Sequence, residues 1–166
     1  MTATLPEGWL EFGVAAAGAT AALAGLLIVA MSVNVKQILA SKALMHGARS
    51  TIASLVLAIV TSLLLLIPGQ SLLLLGVETL VLTLPAVGIQ VQSILTQSRT
   101  ASEGITPSIL AFIITFAVLQ YAPFLVGGIL LLAGVAAGVW LLAIGVVIIV
   151  IASLVNAWVL LLEVQA

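Results

Sequence analysis

From Pro107 to Leu162 the chain runs for 56 residues without one charged side chain. As a helix this stretch would measure about 84 Å at 1.5 Å per residue, against a bilayer hydrocarbon core about 30 Å thick. It must therefore fold back on itself within an apolar medium. The rest of the sequence points the same way, with nine charged residues in 166 and a mean hydropathy of +1.46. Soluble domains carry roughly 25% charged residues, whereas this chain carries 5%, too few to cover a surface in water. The class is integral membrane, where backbone groups must be satisfied internally by helices or a closed barrel. Barrel strands alternate apolar and polar over about ten residues. The runs here are continuously apolar for about 20, which selects helices.

Five spans are expected, at about 12–35, 51–67, 71–95, 107–132 and 139–162. The polar stretch "KQILASKALMHGARS" (36–50) reads as the first loop, and Pro68-Gly69 as the turn ending the second span. "TQSRTASEGITP" (96–107) reads as the next break. The long final run is divided at "AGVAAG" (133–138), which leaves Pro123 inside the fourth span as an expected kink. A rival division at Pro123 and Gly127-Gly128 would give three spans near the lower limit of about 17 residues.

This scheme gathers Lys36, Lys42, Arg49 and Arg99 on one side, while the opposite side has Glu7 and Glu11 and no base. The positive-inside rule makes the basic side cytoplasmic, with the N-terminus outside and the C-terminus inside. Trp9 and Trp140 then fall at the outer boundary and Trp158 near the inner one, as an aromatic belt would have them. "MTATLPEGWLEF" lacks the basic start of a signal peptide, so the first apolar run is expected to remain a membrane helix. With no cysteine, no aspartate and His46 as the one histidine, thiolate chemistry, His-rich metal sites and paired-aspartate catalysis are excluded, and with them most His-based triads. No catalytic group, metal or cofactor is expected. The net charge of −1 argues against nucleic acid as a partner.

Two features inside the membrane carry the functional question. The third span has Gly76, Thr79, Thr83, Ala86, Gln90, Ser93 and Gln97 at steps of three and four, every one small or polar. Membrane helices pack through small residues and cross-helix hydrogen bonds. Similar lines occur at Ala15, Gly18, Ala22, Gly25 and Ser32, at Thr51, Ser54, Ala58 and Thr61, and at Gly138, Gly145, Ala152 and Asn156. Bundle packing is the economical reading. The sharper one makes Thr79, Thr83, Gln90, Ser93 and Gln97 the wall of a wet path, which in so small a chain needs an oligomer around an axis.

The second feature is Glu78, about 9 Å into the third span and projecting about 110° from the seam. A charge at a helix centre costs on the order of 2.5–3.5 kcal/mol, and a proton on the carboxyl avoids much of that. Its expected company is Thr79, Gln70, Gln120, Tyr121 or bound water. Glu78 is then either a neutral interhelical hydrogen-bonding group or a proton- or cation-responsive group in a cavity reached from outside. Asn156 reads as an interhelical hydrogen bond, Ser32 and Asn34 as the inner boundary, and Arg49 as a contact for anionic headgroups. Glu163 is placed in solvent or beside an inner-side base. Gly134-x-x-x-Gly138 matches a dimerisation pattern but lies in the expected turn.

Three stretches, "GLLIVAMSVNVKQIL" (25–39), "LLLLIPGQS" (63–71) and "NAWVLLLEV" (156–164), carry a family likeness. Through them the chain resembles a group of small, mostly uncharacterised bacterial polytopic membrane proteins, sometimes labelled modulators of the membrane protease FtsH. The motifs are boundary and turn features: "PGQ" reads as a tight hairpin with a capping amide, and "NAWVLL-E" as an interface anchor. The resemblance implies an inner-membrane address and brings no catalytic residue with it. The expected function is a non-enzymatic membrane protein acting through its helix faces, as a regulator, accessory subunit or assembly partner. It would sit in the bilayer as a homo-oligomer or with another membrane protein. The alternative is a small homo-oligomeric channel or transporter lined by the third span.

Overall fold

The computed structural model describes residues 8–100 and 107–162. It is all-helical, with no strand among the described residues: α1 (Trp9–Val33), α2 (Val35–Ala40), α3 (Lys42–Leu64), α4 (Leu72–Thr100), α5 (Pro107–Leu132) and α6 (Gly138–Leu162). Five of these, all but the short α2, are long and apolar enough to cross a membrane.

The two turns at one end follow from their glycines. Gly69 takes φ 71°, a left-handed conformation that L side chains resist, and the Gln70 amide donates to the Ile67 carbonyl at 3.3 Å. The expected capping amide is not what starts α4. Ser71 Oγ accepts from the Leu74 amide at 3.2 Å, leaving the Gln70 side chain free for another role. In the second turn, Gly134 at φ 77° ends α5. Val135 N donates to Leu130 O at 2.9 Å and Gly134 N to Leu131 O at 3.0 Å, the paired bonds of a Schellman cap. The division at 133–138 therefore holds, and α5 passes through Pro123, Gly127 and Gly128 without a break. The two glycines serve packing instead. A Cβ on Gly127 would lie 2.9 Å from the Gly138 carbonyl oxygen, and one on Gly128 would lie 2.8 Å from Leu80.

The stretch 36–50, expected as a loop, is helical. After Asn34 the chain forms α2, breaks at Ser41 and re-enters helix at Lys42, with Ser41 Oγ accepting from the Leu44 amide. The physical reason is that polarity removes a segment from lipid without removing its helix propensity, and Lys, Ala, Leu, Met and Arg are all good helix formers. Similarly, α4 continues to Thr100, past the expected end at 95.

The packing is a ring with one helix outside it. α3 packs on α4, α4 on α5, α5 on α6 and α6 back on α3, while α1 lies against α3 and α6. α1 is the least buried of the five, with 22% of its apolar stretch buried, against 28% for α5, 33% for α4, 44% for α3 and 50% for α6. Phe124 fills the ring interior against Gly145, and Leu75, Leu131, Leu142 and Ile149 are likewise fully buried. At the turn end, Trp9 is buried edge-on against Trp140, with ring centroids 4.9 Å apart. Trp140 and Trp158 themselves face outward, near opposite ends of α6.

The small-residue lines do not all face inward. Thr51, Ser54, Ala58 and Thr61 are buried, as are Gly138, Gly145 and Ala152. On α1, however, Ala15, Gly18, Ala22, Gly25 and Ser32 are exposed, and nothing lies within 4 Å of a Cβ built on Gly18 or Gly25. The face of α1 that packs is Gly13, Ala16, Thr20, Leu27 and Ala30. Both faces of α1 are apolar, so hydropathy alone gives no preference between them. Gly13 decides it, because its α-carbon fits against Leu66 and the Ser62 carbonyl, where a Cβ would lie 2.8 and 3.2 Å away.

Candidate functional site

The α4 line is turned into the protomer. Thr79 and Thr83 are fully buried, Ser93 is 1% exposed and Ala86 5%, with Gln90 half-buried. Gly76 on the same line brings α4 against α5: a Cβ there would lie 2.9 Å from the Gly128 carbonyl oxygen and 3.0 Å from Leu132 N. Thr83 Oγ1 donates to the Thr79 carbonyl at 2.7 Å, the usual way a hydroxyl is satisfied inside a helix. The Gln97 and Arg99 side chains lie outside the described residues, as do Glu7 and Glu163.

Glu78, on another side of α4, is half-buried. Of the groups expected beside it, the structure supplies Gln70, whose Nε2 donates to Glu78 Oε2. Gln70 is itself buried in the hairpin before α4. The hairpin thus folds its amide down onto a carboxyl eight residues later. Thr79 turns into the bundle, where its hydroxyl has no partner. Gln120 and Tyr121 are buried on α5, 7% and 4% exposed. The Tyr121 hydroxyl comes up to Ser54 on α3 without completing a hydrogen bond.

At the far end of the bundle Asn156 Nδ2 donates to Thr51 Oγ1 at 3.1 Å, joining α6 to α3. Thr51 Oγ1 in turn donates to the Gly47 carbonyl at 3.0 Å. Asn34 is also drawn in, 1% exposed, with Nδ2 donating to Ala30 O at 3.1 Å; it is a buried anchor as well as a boundary. Lys36, Lys42 and Arg49 are exposed at this same end, with His46 half-buried among them. The backbone of Arg99 is also at this end, in the last turn of α4.

No group of three or more His, Cys, Asp or Glu stands ready for a metal among the described residues. A recess of about 410 Å³ on the outer side of α5 is lined by Thr115, Val118, Leu119, Ala122, Pro123 and Val126 with Leu141 of α6. Its walls are almost wholly hydrocarbon. Sequence reasoning missed two features: the outward turn of the α1 line and the reach of Tyr121 to Ser54. Gly13, one small residue off the α1 line, was the available signal for the first.

The polar groups therefore fall into three places: the Gln70–Glu78 pair at the turn end, the Asn156–Thr51 bond at the basic end, and buried hydroxyls between. No protein-family model, curated protein or solved structure matches the chain.

Proposed function

We propose that the chain is a non-enzymatic protein of the bacterial inner membrane, working through helix–helix contacts in the bilayer as a regulator, accessory subunit or assembly partner. The observation that carries this reading is the free face of α1. Ala15, Gly18, Ala22 and Gly25 form a line of small residues turned away from the bundle, with open space over both glycines. Without a hydrophobic force between helices in lipid, small residues let two backbones approach and gain packing contacts. A second copy of the chain or another membrane protein is the partner such a face suits. The resemblance noted above makes a membrane protease one partner to try. By the positive-inside rule the end holding Lys36, Lys42, Arg49 and Arg99 lies in the cytoplasm.

A homo-oligomeric channel lined by α4 has less support, because Thr79, Thr83 and Ser93 are buried within the protomer. The test is the mass of the complex in lipid nanodiscs for the wild type and for Gly18→Leu with Gly25→Leu. The proposal expects an assembly that the double substitution reduces to a folded monomer. An assembly unchanged by it, or a wild type that is monomeric and carries no other protein, would refute the α1 face as the contact.

A further inference from the structure

The outward side of α3 changes character along its length. Ile52, Val56 and Leu63 are 40, 49 and 49% exposed, a hydrocarbon strip turned to the lipid. Ahead of them on the same helix, Lys42 and Arg49 are exposed as well. At 100° per residue, Lys42, Arg49, Val56 and Leu63 each project within about 20° of the one before, with Ile52 about 60° to one side of Arg49. Two cations and a strip of hydrocarbon therefore share one face of one helix.

The packing of α1 sets the depth of the two cations. A Cβ on Gly13 would touch Leu65 and Leu66 at the turn end, and α1 ends 20 residues later at Val33. That length is about 30 Å at 1.5 Å per residue, the thickness of a hydrocarbon core. The same length counted back from Leu66 along α3 reaches His46. Arg49 then stands about 5 Å inside the hydrocarbon boundary and Lys42 about 6 Å outside it. Side chains on a helix tilt toward its N-terminus, which for α3 is the nearby interface. Arg49 can thus carry its guanidinium out along its own stem, to the level at which phospholipid phosphates lie.

No carboxylate meets these cations at their end among the described residues, whose two acids, Glu11 and Glu78, lie in the opening turns of α1 and α4 at the other end. A phosphodiester supplies the missing charge, with acceptor oxygens that suit the arginine fork. A zwitterionic headgroup would set its own ammonium against the same two cations, so the arrangement selects a net negative lipid.

We propose that this face of α3 is a binding site for an anionic glycerophospholipid, its phosphate held between Lys42 and Arg49 and an acyl chain laid along Ile52, Val56 and Leu63. The site needs neither the free face of α1 nor a particular orientation of the bundle, so it stands or falls separately from both.

The experiment is native mass spectrometry of the protein released from nanodiscs of equal phosphatidylglycerol and phosphatidylcholine, counting the lipids that stay bound. The wild type should retain phosphatidylglycerol in preference. One cation near the surface is worth roughly fivefold in anionic-lipid affinity, so Lys42→Gln and Arg49→Gln should each lower the preference by about that factor. Lys36→Gln removes a cation from the same end, but from α2 beyond the break at Ser41, and should leave the preference nearly unchanged. All three positions are exposed, and circular dichroism certifies that each variant keeps its helices. Soluble glycerol phosphate should not displace the bound lipid, because the chain along α3 helps to hold it. Equal retention of the two lipids in the wild type overturns the proposal. So does a loss in Lys36→Gln as large as in Arg49→Gln, the mark of bulk charge without a site, or displacement of the lipid by glycerol phosphate.

Discussion

Gly76→Ala is a sharp test of the packing, because it adds one methyl group at the closest approach of α4 to α5. The new Cβ would lie 2.9 Å from the Gly128 carbonyl oxygen, 3.0 Å from Leu131 Cβ and 3.0 Å from Leu132 N, all below the 3.4 Å at which ordinary contact begins. Two of these three atoms are backbone, so relief requires the helices to part by up to about 0.5 Å, the gap between 2.9 and 3.4 Å. Overpacking of this kind costs typically 1–3 kcal/mol. Replacing glycine by alanine in a helix interior returns roughly 0.5–1 kcal/mol. The net is a destabilisation of about 0–2.5 kcal/mol, or a rise in the unfolding constant of up to roughly sixtyfold at 1.4 kcal/mol per decade. Gly88 is the internal control. It lies on the same helix with nothing within 4 Å of its Cβ, so Gly88→Ala should be neutral or stabilising by up to about 1 kcal/mol. Equilibrium unfolding in bicelles by steric trapping reads both variants. If Gly76→Ala proves as benign as Gly88→Ala, α4 and α5 do not meet at this glycine and their packing as described is wrong.

Three further predictions follow the same logic. Removing the amide from Glu78 with Gln70→Leu should destabilise the hairpin by on the order of 1 kcal/mol, read by hydrogen exchange of the 65–71 segment, and Glu78→Gln should cost less because an amide can still accept. A double-mutant cycle of Asn156→Leu and Thr51→Val should give a coupling of about 0.6 kcal/mol, the usual size of an interhelical hydrogen bond in membranes; zero coupling would mean that the bond is not formed in lipid. Phe124→Ala should cost about 3–5 kcal/mol, since Phe124 is fully buried against Gly145, and Gly145→Ala should also destabilise, because its Cβ would fall 2.5 Å from the Phe124 ring.

Much of the fold is legible in particular residues. Pro68-Gly69 and Gly134 demand turns, and the charge-free run from Pro107 to Leu162 must double back between them and the far end. The connector at 36–50 is not legible as helix from hydropathy, because leaving the lipid and leaving the helix are different events. Ser41 as an N-cap is the local cue that separates them. The outward face of α1 illustrates a further limit. A line of small residues states that a close approach is sterically allowed, but the partner can be another helix of the same chain or a different molecule. Glu78 was visible as an anomaly at once, with Gln70 among its expected partners; selecting Gln70 from them needed the hairpin geometry, which brings residues eight apart into hydrogen-bond reach. The unpaired hydroxyls of Thr61, Thr79, Tyr121 and Ser153 could not be read from sequence at all.

Five crossings with the four cations on the cytoplasmic face are the claim on which the functional reading rests, and single-cysteine labelling of intact cells tests it most directly. The chain contains no cysteine of its own, so Ile67→Cys, Ala136→Cys and Lys42→Cys each carry one unambiguous thiol. An impermeant maleimide should reach positions 67 and 136 from outside, and position 42 only after the membrane is opened. Labelling of 42 together with 67, or of 67 and 136 from opposite sides, would contradict the arrangement.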